Sequence, residues 1–142
     1  KILIKNGALL NLKDKFGKSA LVYCVNKDRI KATEFLLVHQ PEVDSLDKFE
    51  WTPLMWAVKK DYIEIIKLLV EHKANINHKD DDGTPLIQYA VENESVDIVK
   101  FLIEKGVDIN VSDQYGLSPL VYALKTKNKA MVDLIRSAGG EY

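Results

Sequence analysis

Apolar residues run along this chain in pairs of short helical stretches separated by polar turns. Leu54, Ala57 and Val58 stand at i, i+3 and i+4, one stripe of a helix whose small Ala allows close approach to a neighbour. After the polar Lys59-Lys60-Asp61, residues Ile63, Ile65, Ile66, Leu68, Leu69 and Val70 make a wider apolar face. They predict a second helix, expected to be the more buried of the pair. A step of 33 residues repeats the pattern with no gap, linking Leu21, Leu54, Ile87 and Leu120, then Cys24, Ala57, Ala90 and Ala123, then Leu36, Leu69, Leu102 and Ile135. Polar columns keep the same step: Asp14, Asp47, Asp80 and Asp113, and Asn11, Asp44, Asn77 and Asn110. Such a period marks stacked units, none of which closes a core alone, so stability is a sum over units and their interfaces. The predicted fold is an all-α solenoid.

The polar segments say where elements start and stop. Asp-x-x-Gly at Asp14–Gly17 and Asp113–Gly116 is turn chemistry, because Asp bonds its own backbone two residues on and Gly supplies a positive φ. It predicts a tight, finger-like turn. Thr52-Pro53 then opens a helix, with Thr as N-cap and Pro at the first helical position, where its missing N–H costs nothing, and Ser118-Pro119 repeats the choice. In the third unit Thr84-Pro85 comes one residue early, which predicts a helix beginning one residue sooner. The second helices end near Lys73-Ala74 and Lys105-Gly106, with Gly just past the last turn.

At these residues the chain resembles a known family. Asp-x-x-x-Trp-Thr-Pro-Leu-Met-Trp-Ala at 47–57 and Ile-Val-Lys-Phe-Leu-Ile-Glu-Lys-Gly-Val-Asp-Ile-Asn at 98–110 are similar to ankyrin repeats, over nearly all 142 residues. The resemblance implies one domain of stacked helix-turn-helix units with β-turn fingers: a partial repeat at 1–11, then repeats at 12–44, 45–77, 78–110 and 111–142. It also implies a protein partner held on a concave face of finger tips and first helices. There are departures. Asp28, Asp61, Glu94 and Lys127 stand where the family has Gly after the first helix, and Gln40 and Lys73 replace the Gly that ends a repeat. A left-handed backbone at such residues costs about 1 kcal/mol each. Lys129 and Arg136 replace apolar positions of sister repeats, so the last repeat is expected to cap the array.

Composition narrows the partner. With 20 Lys and Arg against 21 Asp and Glu, the net charge of −1 argues against a nucleic-acid binder working by phosphate neutralisation. No apolar run approaches the roughly 20 residues of a membrane span. The single cysteine, Cys24, cannot form an internal disulfide and suits a reducing compartment such as the cytoplasm, the compartment being open if the chain is a secreted effector. Cys24 is expected as a small buried packing residue. His39, His72 and His78 lack ligand spacing, and Asp80-Asp81-Asp82-Gly83 has Tyr89 where a calcium loop needs Glu, so neither metal nor cofactor is expected. No nucleophile–base pair or phosphate loop is present, and the expected chain is a monomeric, non-enzymatic scaffold.

The candidate partner-binding set is Phe16, Lys18, Phe49, Trp51, Met55, Trp56, Lys59, Asp82, Tyr89, Tyr115, Leu117 and Tyr122, with Val22 and Gln88 further along the same helix faces. Phe16, Phe49 and Tyr115 share one column at the finger tips and are either anchors or local covers of the turn. Tyr23, Trp56, Tyr89 and Tyr122 share another, for which packing between repeats is the plainer reading. Two other functions compete. The chain could be the targeting segment of a larger enzyme or microbial effector. Alternatively, Trp51, Trp56 and Tyr89 could form an aromatic box for methyl-lysine, although Lys59 stands where readers of that kind place an acid.

Overall fold

The computed structural model describes residues 11–142. The partial repeat expected at 1–11 therefore lies, apart from Asn11, outside the described residues. Eight helices occur among them: α1 (Ala20–Asn26), α2 (Ile30–Val38), α3 (Pro53–Lys59), α4 (Ile63–Glu71), α5 (Leu86–Glu92), α6 (Val96–Glu104), α7 (Pro119–Thr126) and α8 (Lys129–Ser137). The only β feature among the described residues is an isolated bridge between Lys79 and Pro85. None of these helices is long and apolar enough to cross a membrane.

The chain divides at Asn75 and Ile76 into two compact units. In the first, α1 packs on α2 and α3, while α4 packs on α3 and α2. In the second, α5 packs on α6 and α7, while α8 packs on α7 and α6. Within each unit, first helices thus lie against first helices and second against second. Leu54, Ala57 and Val58 in one unit and Ile87, Ala90 and Val91 in the other are buried, as the apolar columns require.

The relative burial of the two helices is the reverse of the expectation. On α3, Pro53, Leu54, Met55, Ala57 and Val58 are buried, whereas on the longer α4 only Ile65, Ile66 and Leu69 are. The physical reason is position. A first helix has its own second helix on one side, a neighbouring first helix on another and the fingers above it; a second helix keeps an outer side in water, so Ile63, Leu68 and Val70 stay half-buried. Apolar count along a helix does not give the number of sides that are covered.

Helix starts follow the sequence, with one correction. The Thr52 hydroxyl accepts the Met55 amide at 3.2 Å, and Ser19 accepts that of Val22 at 3.4 Å. The third repeat does not start early: α5 begins at Leu86, in register with Pro53, and Pro85 occupies the N-cap position with an extended backbone. Pro85 has no capping side chain, so the Gln88 amide, in the place of Met55, donates to the Pro85 carbonyl at 3.1 Å, and the Leu86 amide, absent at Pro53, donates to the His78 carbonyl at 2.9 Å. The finger keeps its length, since Asp80 N–H donates to Thr84 C=O just as Asp47 N–H donates to that of Trp51.

Helix ends explain the missing glycines. All twelve positive φ values among the described residues fall in three columns of the repeat: 17, 50, 83 and 116 in the fingers; 28, 61, 94 and 127 after the first helix; 40, 73, 106 and 139 after the second. Seven of the twelve are not glycine, so the family's Gly columns keep their left-handed backbone even where Asp, Glu, Gln or Lys fills them. The cause is hydrogen bonding. After α4 the amides of Lys73 and Ala74 reach back to Val70 and Leu69 carbonyls, and after α6 those of Gly106 and Val107 reach Ile103 and Leu102. This closure of orphan carbonyls needs a left-handed residue at its first position, whatever the side chain.

Candidate functional site

Each finger is built around one carboxylate. Asp47 Oδ1 accepts the amides of Phe49 and Trp51 at 2.9 and 3.0 Å, and its Oδ2 accepts the indole N–H of Trp56 on α3 at 2.9 Å. The other fingers repeat the arrangement: Asp14 takes Phe16 and Lys18 amides and the Tyr23 hydroxyl, Asp80 takes Asp82 and Thr84 amides and the Tyr89 hydroxyl, Asp113 takes Tyr115 and Leu117 amides and the Tyr122 hydroxyl. The aromatic column on the first helices thus pins each finger to the helix nine residues on. A hydrogen-bond donor at the far end of a large ring is the shared property of Tyr and Trp that the column conserves in space.

Electrostatics follow from those bonds. The Tyr23 hydroxyl, then the Lys18 amide, lower the pKa of Asp14 below its ordinary value. Burial pushes Asp113 the other way, but the Tyr122 hydroxyl and the Leu117 and Tyr115 amides together outweigh it and leave its pKa lowered. Tyr122 is pushed up to about 12, first by its bond to Asp113 and then by burial. The pKa of Tyr89 is raised by burial and then by Asp80, and that of Tyr23 by Asp14. Cys24 is half-buried rather than fully buried, and burial raises its thiol pKa, the opposite of an activated thiolate. Among the described residues no cluster of His, Cys, Asp and Glu could hold a metal ion.

Asp47, Asp80 and Asp113 are buried while Asp14 stays exposed, and the tips carry what faces solvent. Phe16, Phe49 and Tyr115 are 42%, 52% and 74% exposed, and the fourth residue of their column is the exposed Asp82. In the first unit the two fingers touch: Lys48 N–H donates to Phe16 C=O at 3.3 Å. The Lys48 ammonium lies 5.4 Å from the Phe16 ring centre and 5.0 Å from that of Phe49, and Lys15 lies 5.2 Å from Phe16. Lys18 sits 4.9 Å from the Trp56 ring, whose centre is 4.7 Å from that of Trp51. In the second unit Gln114 closes on Gly83, where a Cβ would come within 3.2 Å of the Gln114 Cβ.

Placement divides the expected set. Phe16, Phe49, Lys59, Asp82 and Tyr115 are exposed; Lys18, Trp51, Trp56, Tyr89, Leu117 and Tyr122 are half-buried. Met55, Val22 and Gln88 are buried, so they support the face from beneath and cannot line it. Their columns point toward the neighbouring helices, a direction the repeat alignment does not reveal. Trp51 and Trp56 meet in the first unit, while Tyr89 belongs to the second and is bound to its own Asp80. Sequence reading assigned no role to the Asn11, Asp44, Asn77 and Asn110 column. Within the units these side chains accept the amides of Glu42, Asn75, Asp108 and Glu141, each 31 residues later. The column itself was the signal for this ladder.

Comparison with known families matches a model described as ankyrin repeats, in three copies, to residues 1–80 and 77–142. Comparison with curated proteins returns no match.

Proposed function

The chain belongs to the ankyrin-repeat family, whose members generally serve as protein–protein interaction modules, and from that premise we propose that it is a non-enzymatic module that holds a protein partner on its finger tips. The observation that carries the reading is an exposed aromatic at the same turn position in both units, Phe16 and Phe49 in the first and Tyr115 in the second, on turns held by hydrogen bonds from within. Aromatic rings in water, held by backbone hydrogen bonds, lose little entropy when covered, which is what an interface anchor requires. In the first unit the half-buried Trp51 and Trp56, and in the second the half-buried Tyr89, Leu117 and Tyr122, complete the proposed contact set, and Lys18, Lys59 and Asp82 supply charge for register and on-rate. The Lys18 ammonium over the Trp56 ring counts against an aromatic box for methyl-lysine, because it already fills one cation position.

The test is capture of a partner by the immobilised chain against a Phe16→Ala/Phe49→Ala/Tyr115→Ala variant. All three side chains are exposed, so the variant keeps its circular dichroism and unfolding midpoint. Loss of about 2 kcal/mol or more in affinity is expected. Equal capture by the folded variant refutes the assignment of the finger tips.

A further inference from the structure

We propose that the finger face of the first unit takes an acidic segment of the partner that carries an aromatic residue. This deepens the proposed function and rests on it. The observation is charge sorted between the units. Residues 1–75 carry 13 Lys and Arg against 10 Asp and Glu, and residues 76–142 carry 7 against 11. A near-neutral chain therefore consists of a basic unit and an acidic one.

The sorting is sharpest at the tips. In the first unit Asp14 and Asp47 are engaged by the amides and ring donors of their own turns, which leaves Lys15, Lys18 and Lys48, with the exposed Glu50 beside Lys48, as the charges a partner meets at the tips. Neither Lys15 nor Lys48 has a carboxylate partner among the described residues; both ammoniums lie over Phe16, and Lys48 also lies over Phe49. In the second unit the Lys15 and Lys48 column holds Asp81 and Gln114, the Lys18 column holds Thr84 and Leu117, and Asp82 takes the place of a Phe, so the tips carry no lysine.

Cations spread over ring faces do two things at once. The ring quadrupole holds each ammonium close to the tip without neutralising it, so a carboxylate reaching the lysine adds a charge pair and keeps the cation–ring contact. The ring edges stay open to apolar or aromatic contact. A peptide that alternates acids with an aromatic residue satisfies both, and its approach is accelerated by the local positive field.

The chain's two tryptophans, Trp51 and Trp56, both lie in this unit beside Lys18, so their emission reports occupancy. The probes are a short Asp/Glu-rich peptide with one central Phe, the same peptide with Lys for every acid, and single-stranded oligouridine. The acidic peptide is expected to give a saturable change that weakens about tenfold with Lys15→Glu/Lys48→Glu and also weakens as salt rises. Phe16→Ala/Phe49→Ala should weaken it with the charges intact, and circular dichroism confirms that both variants fold. Equal or tighter binding of the lysine peptide, preference for oligouridine, or indifference to the charge reversal overturns the proposal. Loss of partner capture on finger substitution, with no acidic-peptide response, would leave the finger-tip function standing and remove only its acidic ligand.

Discussion

Lys73 and Lys127 hold left-handed backbone, with φ of 72° and 61°, at the ends of α4 and α7. Their amides bond to Val70 and Leu124 carbonyls, and both side chains are exposed. Replacing each with Gly removes about 1–2 kcal/mol of steric strain between Cβ and backbone. Against this stand about 0.5–1 kcal/mol of extra unfolded-state entropy for glycine and about 0.3 kcal/mol of lost attraction between lysine and the helix C-terminus. The balance is a gain of about 0.5 kcal/mol per site. The two positions lie in different units, so the double variant should gain about 1 kcal/mol and raise the melting temperature by about 3 °C. Gly106 is the matched control, since it occupies the Lys73 column at φ 88° and an added Cβ would meet nothing within 4 Å. Gly106→Ala therefore adds backbone strain with no new steric contact, and after the unfolded-state entropy it recovers it should still lose about 0.5–1 kcal/mol. Urea and thermal unfolding of the three proteins decide the matter. A double variant less stable than the parent, or a Gly106→Ala protein as stable as the parent, would show that strain at these columns is not the governing energy.

Two further outcomes follow from the fingers. Gly17→Ala should destabilise more than Gly116→Ala, because its Cβ would lie 3.0 Å from the backbone of Asp47 and Lys48, whereas that of Gly116 meets nothing within 4 Å; parallel urea titrations compare them. The Asp113–Tyr122 bond should make stability depend on pH at both ends. Asp113 has a lowered folded pKa, so its contribution is present above the ordinary carboxyl value and is lost as pH falls through the folded one. Tyr122 is raised to about 12, so its contribution is present below the ordinary phenol value near 10 and is lost as pH rises toward 12. Tyr122→Phe should flatten the alkaline part of the unfolding-midpoint profile, and an unchanged profile would remove the bond from the account.

Much of this architecture was written in local chemistry. The 33-residue step, the Thr52 cap and the apolar columns follow from residues read in order, because turns, caps and helix stripes depend on neighbours within a few residues, whereas the Gly column at Asp28, Asp61, Glu94 and Lys127 came from the family resemblance, and the structure shows that its backbone stays left-handed. The aromatic finger column was legible for the same reason: position in a tight turn already implies contact with water. Glu50 in the finger glycine column escaped notice, since Glu carries no sign of the left-handed backbone that its turn imposes.

Contacts between elements were decided only by the tertiary structure. Whether α3 or α4 is more buried, that Met55 faces inward, that Trp56 serves Asp47, and that Asn110 holds the Glu141 amide depend on groups 9 to 31 residues away in sequence. A hydrogen bond needs its partner at a fixed distance and angle, and burial needs a body on each side; neither condition is expressed in residue type. The sequence by itself determined which segments coil, where they stop and which columns recur. The packed chain determined which face of each column meets water, and so which residues remain available to a partner.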